Sequence, residues 1–250
     1  MGVVMQTEAQ KRTEILTAWR AYRAGGRIFD VAEGSVVCGA EEGAVAACFR
    51  VYYATLFGAP DMANALAVAT LTSPTLGERA IASGDEIMVF AKGFVDVSFL
   101  QALGLTPVML GLTDLSGDAF EMALENALSM QTKAVFVAHG ADGVVDLKTV
   151  RNFCNKYDLW LIEDSQNATG ACYDFDGTVY CTGAIGDVGT VRLETPAGSV
   201  GAVLTNNDTL CAISCDLCDT AKAILDLAPS SAQMQGVSHA LPHIPLQGGN

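Results

Sequence analysis

The stretch LWLIEDSQNATGACYDFDGTVYCTGAIGDVGT, residues 159–190, decides the fold. Its apolar start, Leu159-Trp160-Leu161-Ile162, runs directly into the acidic pair Glu163-Asp164 and then into small polar residues from Ser165 to Gly170. This is the pattern of a short buried strand that carries a carboxylate to the C-terminal edge of an α/β sheet, where such sheets bind ligands. Further on, Gly183, Gly186 and Gly189 fall close together, which permits tight turns and close approach of backbone to a neighbour or a ligand. Ahead of these glycines, Asp174-Phe175-Asp176-Gly177 reads as a hairpin-like turn, with Asp174, Asp176 and Asp187 as solvated turn residues.

Working outward, the same alternation recurs. Residues 86–91 (EIMVFA), 106–110, 134–139 (AVFVAH) and 200–205 are short apolar runs that predict strands. Residues 95–103, 117–128, 146–157 and 208–227 predict the helices between and after them. Continuous apolar strands alternating with helices of about a dozen residues imply an α/β fold with a mostly parallel sheet, covered on both faces in three layers. Upstream, residues 8–24 predict an amphipathic helix, with Ile15, Ala18, Trp19 and Tyr22 on one stripe. Residues 43–56 and 63–71 predict two apolar helices. The last stretch, 228–250, is rich in Pro, Gly and Ser and predicts an irregular tail. One domain is expected, comprising an N-terminal helical segment (1–56), a large domain (57–228) and the tail (229–250).

With 14 basic against 28 acidic side chains, the net charge of −14 would repel a phosphate backbone, so nucleic acid is not an expected partner. The uncharged stretch 97–113 is interrupted by Gln101, Gly104, Pro107 and Gly111, which argues against a membrane span. Residues 1–14 lack a basic region leading into an apolar segment, so a cytoplasmic location is the expectation. The eight cysteines then read as small buried free thiols. Cys211, Cys215 and Cys218 have the spacing C-x3-C-x2-C, which puts their sulfurs along one face of a helix. His239 and His243 flank Pro242 in the breaker-rich tail, and no metal site is expected there.

Four stretches together resemble the DegT/DnrJ/EryC1/StrS sugar aminotransferase and dehydratase family, which binds pyridoxal phosphate on a fold type I large domain. They are ANALAVATLTSPTLG (63–77), SGDEI (83–87), AKGF (91–94) and WLIEDSQNATG (160–170). The likeness covers residues 57 to 208, about two thirds of the chain, and is nearest to the CDP-4-keto-6-deoxyglucose 3-dehydratase branch.

The resemblance implies roles. Asp164 would salt-bridge the protonated pyridine nitrogen of the cofactor and keep the ring electron-poor; the plainer reading is a helix cap or a partner for a nearby base. Asn167 would contact the ring hydroxyl, or only hydrogen-bond within its loop. Phe94 would stack on the ring, or be an ordinary core phenylalanine. His139, at a strand end on the same edge, would face the substrate or sit satisfied behind the site.

Three departures are equally specific. Where relatives place a hydroxyl-rich phosphate cradle, this chain has GAPDMAN (58–64), which keeps only Ala63 and Asn64, loses one N–H donor to Pro60 and adds the charge of Asp61. Where relatives carry a Schiff-base lysine or a proton-transferring histidine, the run VRLETPAGSVGAV (191–203) has neither. Arg192 cannot replace them because its guanidinium stays charged, which leaves Lys92 as the one amine near the expected ring. The resemblance also implies a small C-terminal domain after the large one, and residues 229–250 are not expected to form it.

The 3-dehydratase branch holds an iron–sulfur cluster whose first cysteine would fall near Ser165–Gln166. None stands there, so no cluster is expected. The resemblance thus implies pyridoxamine or pyridoxal phosphate as cofactor, held without a covalent link, and a nucleotide-linked keto sugar as substrate. The alternatives are a catalytically inactive scaffold and a piece of a longer or decayed protein. A homodimer, or a heterodimer with an intact relative, is the expected assembly.

Overall fold

The computed structural model describes residues 39–93, 95–111, 117–141, 143–225 and 229–241. The helix predicted over 8–24, together with Phe94 and His243, lies outside the described residues.

Seven strands form one sheet. Strands β2 (Glu86–Ala91), β3 (Thr106–Met109), β4 (Thr132–Ala138) and β5 (Trp160–Asp164) pair in parallel, and β8 (Val188–Thr195) joins β5 in the same sense. β9 (Gly198–Thr205) then runs antiparallel to β8, and β1 (Tyr53–Phe57) antiparallel to β9, giving the order β1-β9-β8-β5-β4-β2-β3. The mostly parallel α/β sheet expected from the sequence is therefore present. A separate hairpin, β6 (Cys172–Phe175) and β7 (Thr178–Cys181), turns at Asp176 and Gly177, both at positive φ (52° and 83°). Two consecutive left-handed residues make the twist-matched hairpin turn that Asp-Gly favours.

Strand alternation divides the core. Ile87, Val89, Phe136 and Ile162 face α2 (Ala63–Leu71), α3 (Ser98–Ala102) and α6 (Asp208–Leu225). Met88, Phe90, Val135, Val137 and Leu161 face α4 (Gly117–Ala127) and α5 (Leu147–Tyr157). A third cluster packs α1 (Ala40–Phe49) and α7 (Ser231–Ala240) on β1, β8 and β9.

The structure departs from the sequence reading at three points. The helix predicted over 43–56 stops at Phe49, where Arg50 takes a left-handed conformation (φ 57°). Beyond it, the β-branched and aromatic run from Val51 to Phe57 supplies an edge strand. Second, β8 is a strand that the sequence pattern hides, because its glycine and charges mask the apolar alternation of Val191 and Leu193. Third, the tail expected to be irregular contains α7. Ser230 and Gln233 cap it reciprocally, its Val237 is fully buried, and Gln233 Nε2 donates to Ser199 O at 3.0 Å. Docking, not propensity, makes this helix.

Candidate active site

The parallel register places Ala91, Ala138, Asp164 and Thr190 in one row at the C-terminal edge of the sheet. Asp164 and Thr190 therefore share the face covered by α2, and Asn64 in the first turn of α2 meets both. Asn64 Nδ2 donates to Asp164 Oδ2 at 2.8 Å, while Thr190 Oγ1 donates to Asn64 Oδ1 at 2.7 Å. The backbone N–H of Gln166 donates to Asp164 Oδ1 at 3.0 Å. Thr190 Oγ1 is also 3.4 Å from Asp164 Oδ1, but its single proton is already committed to the nearer oxygen of Asn64.

Asp164 thus has two firm donors for about four acceptor positions. Its residue is 6% exposed, and burial pushes its carboxyl above the usual range against the lowering effect of the Gln166 and Asn64 hydrogen bonds.

Glu163, one residue earlier, points to the opposite face and has no spare capacity. It accepts from the N–H groups of Gly183 (2.6 Å), Ile185 (3.0 Å) and Gly186 (2.9 Å), and from His139 Nε2 at 3.0 Å. Burial opposes its ionisation, yet the hydrogen bond from His139 and the backbone donors together hold the carboxyl below the usual range. The N–H of Val145 donates to His139 Nδ1 at 3.1 Å, so the proton of a neutral ring sits on Nε2 and serves Glu163. His139 is sealed, with a side chain showing 0% exposure. Its geometry favours the satisfied, positioning reading over substrate contact.

The clustered glycines allow this packing. A Cβ on Gly189 would come within 1.9 Å of Gly183 O, and one on Gly186 within 2.8 Å of Val188 O. Gly183 itself sits at φ 92°. Asp187, expected from sequence as a solvated turn residue, instead accepts from the N–H of Leu161 (2.8 Å) and pairs with Arg151 (3.0 Å), which pins the same loop to β5 and α5.

The remaining candidates separate. Asn167 stands exposed on the loop after β5. Ala63 is buried and donates its N–H to Pro60 O, and the N–H of Met62 goes to Ala59 O at 3.0 Å, so these two donors of the 58–64 turn are used within it. Asn64 belongs to the Asp164 end, contrary to the phosphate role expected for it. Asp61 is paired with Arg192 Nη1 at 3.2 Å; Arg192 is further held by Glu194 (2.7 Å) and Ser199 (3.1 Å). Lys92 follows Ala91 and so turns to the other face from Asp164. There a Cβ on Gly143 would lie 3.6 Å from its Nζ, and one on Gly140 would lie 2.3 Å from its carbonyl oxygen.

A cavity of about 310 Å³, lined by Thr72, Ile81, Leu103 and Leu105 among others, lies at the opposite, N-terminal end of β2 and β3. Among the described residues no His, Cys, Asp or Glu group could hold a metal ion, and no helix is long and apolar enough to cross a membrane.

The sheet is mostly parallel and ends β5 on a buried carboxylate, and the DegT/DnrJ/EryC1/StrS aminotransferase family model matches residues 49–225. The chain belongs to this family. It is 38% identical over 154 residues to the lipopolysaccharide biosynthesis protein RfbH of Salmonella typhimurium, a match covering 59% of this chain and 34% of the relative. It is 30% identical over 164 residues to a dTDP-4-dehydro-2,6-dideoxy-D-glucose 3-dehydratase of Saccharopolyspora spinosa, covering 64% and 35%. The matched part therefore spans about a third of these relatives' length.

Among solved structures, S. venezuelae DesV in complex with a ketimine intermediate superposes with a TM-score of 0.64 at 22% identity, covering 93% of this chain and 62% of that one. GDP-4-keto-6-deoxymannose-3-dehydratase with a trapped PLP-glutamate geminal diamine gives 0.61 at 17%, covering 92% and 65%. These establish the fold type I architecture.

The donor set fits the family's cofactor at one end only. Asp164 can take a protonated ring nitrogen. The 58–64 turn, with Asp61 in it, does not offer a phosphate dianion the donors expected of that position.

Proposed function

We propose that this chain holds the ring of pyridoxamine or pyridoxal phosphate against Asp164 without a covalent link, and that its substrate class is a nucleotide-linked keto sugar. The spare acceptor capacity of Asp164 carries the reading. A buried carboxylate with two firm donors can accept a further charge-assisted hydrogen bond from a cationic N–H, whereas one already saturated has no acceptor position left to offer. When bound, the cofactor supplies an electron-poor ring that takes up electron density from the carbon undergoing reaction. The chain's own part is positioning: Asn64 and Thr190 fix the carboxylate's plane, and the sealed Glu163–His139 pair holds the loop behind it. Non-covalent retention accords with the lack of lysine and histidine in residues 191–203.

The same lack supports a second reading, in which the chain is an inactive paralogue that binds an intact relative. Absorbance titration of the purified protein with both vitamers, with borohydride added to each, separates the readings. The first expects saturable binding of pyridoxamine phosphate and no fixation of pyridoxal phosphate to the chain. An absence of binding by either vitamer rejects it.

A further inference from the structure

The hairpin after the Asp164 loop carries a pair of thiols that nothing in the site uses. Cys172 and Cys181 face each other across β6 and β7. The hairpin turn occupies the two residues Asp176 and Gly177, so Phe175 and Thr178 form its first hydrogen-bonded pair, and pairs then alternate outward. Three steps on, Cys172 and Cys181 form a non-hydrogen-bonded pair. The bond from Thr182 N to Ala171 O, 2.9 Å, at the next position agrees with this register. Such pairs have Cα atoms about 4.5 Å apart with side chains drawn together. That lies inside the range a disulfide accepts.

A second pair, Cys211 and Cys215, has sulfurs 4.0 Å apart in α6. Helix positions four apart, however, keep their Cβ atoms about 5–6 Å from each other, beyond the roughly 3.5–4.5 Å that a bridge requires. Closing that pair would bend a helix whose Leu210, Ile213 and Leu217 are set in the core. Cross-strand geometry wins.

We infer that Cys172 and Cys181 form a thiol–disulfide exchange site that takes a small-molecule disulfide such as oxidised glutathione as co-reactant. Cys172 is half-buried and Cys181 is buried, so Cys172 is the entry thiol. Its thiolate attacks one glutathione sulfur, the glutathione S–S bond breaks, and one glutathione thiolate leaves and takes up the proton. Cys181, having lost its proton to solvent, then attacks Cys172 Sγ and expels the second glutathione. Two protein thiols are oxidised while one glutathione disulfide is reduced to two thiols. Burial, with the neighbouring Cys172 and Cys48, pushes the Cys181 thiol up to about 11, so the second step is the slow one.

The bridge would sit at the base of the hairpin, next to the loop that presents Asp164. Thr182 Oγ1 donates to Ala168 O at 2.8 Å, and Cys172 Sγ to Gly170 O at 3.7 Å.

The test is equilibration of the full chain with oxidised glutathione at mildly alkaline pH, followed by thiol counting and peptide mapping. The expected result is a loss of two of the eight thiols and a peptide linking Cys172 to Cys181. In Cys181→Ser the chain should stop at one glutathionyl adduct on Cys172, and in Cys172→Ser position 181 should stay reduced. A bridge mapped instead to Cys48 or to Cys211 and Cys215, or a chain that keeps both thiols at equilibrium, overturns the inference. None of these readouts depends on cofactor binding.

Discussion

Glu163 and Asp164 are neighbours on one strand, both buried, both carboxylates, yet their surroundings move them in opposite directions. Glu163 faces a loop that aims three backbone N–H groups and a histidine at it, and it is held ionised. Asp164 faces α2 with two firm donors and is pushed toward its neutral form. The saturated carboxylate is an element of the fold, and the unsaturated one is where a cationic ligand has something to contribute. Strand alternation alone produces the division: a one-residue step exchanges one face for the other.

The largest effect that can break this comparison is Glu163→Ala. It strands His139, two buried N–H groups and a partly buried third, and chemical denaturation should show a loss of about 3–5 kcal/mol. Equal stability in that variant would deny the pair its structural role.

Asp164→Asn should behave in the opposite way. The flanking amide of Asn64 can reverse, its oxygen accepting from the new amide and its nitrogen facing Thr190, so the hydrogen bonds survive while a buried charge is removed. Because the folded carboxyl is raised above its unfolded value, ionisation of Asp164 costs stability as pH rises from the unfolded pKa through the folded one. The asparagine variant should therefore be the more stable at pH 7, the difference shrinking as pH falls through the carboxylate range, and it should bind no pyridoxamine phosphate. Glu163 carries the reverse sign. Its contribution is present above the unfolded carboxylate pKa and is lost in acid, as pH falls through its depressed folded value. Urea titrations of the two variants across that range would show opposed slopes.

The smallest stability effect belongs to the exposed end. Arg192 and Asp61 have side chains 38% and 58% exposed, and breaking such a pair should change stability by about 1 kcal/mol or less. Asp61→Ser should instead show its effect in binding, strengthening pyridoxamine phosphate relative to unphosphorylated pyridoxamine. Unchanged preference would show that Asp61 does not border the phosphate.

Much of the fold is legible in the sequence. The strand ending at Asp164, the Asp-Gly hairpin and the glycine crowding all obey local rules, because each depends on residues close together in the chain. What escapes is non-local. Asn64 and Asp164 are a hundred positions apart, and only the register of β5 beneath α2 brings them together. Glu163 looks like half of an acidic pair, although period-two alternation already requires it to face away from Asp164. Helix α7 is stable through its cap and its seat on β8 and β9, which tail composition does not reveal.

The protonation state of the bound ring is the most direct test of the account. The nitrogen-15 resonance of labelled pyridoxamine phosphate bound to the wild-type chain should report a pyridinium nitrogen at a pH where the free ring is neutral. A neutral nitrogen in that complex, or an unchanged pyridinium signal with Asp164→Asn, would contradict it.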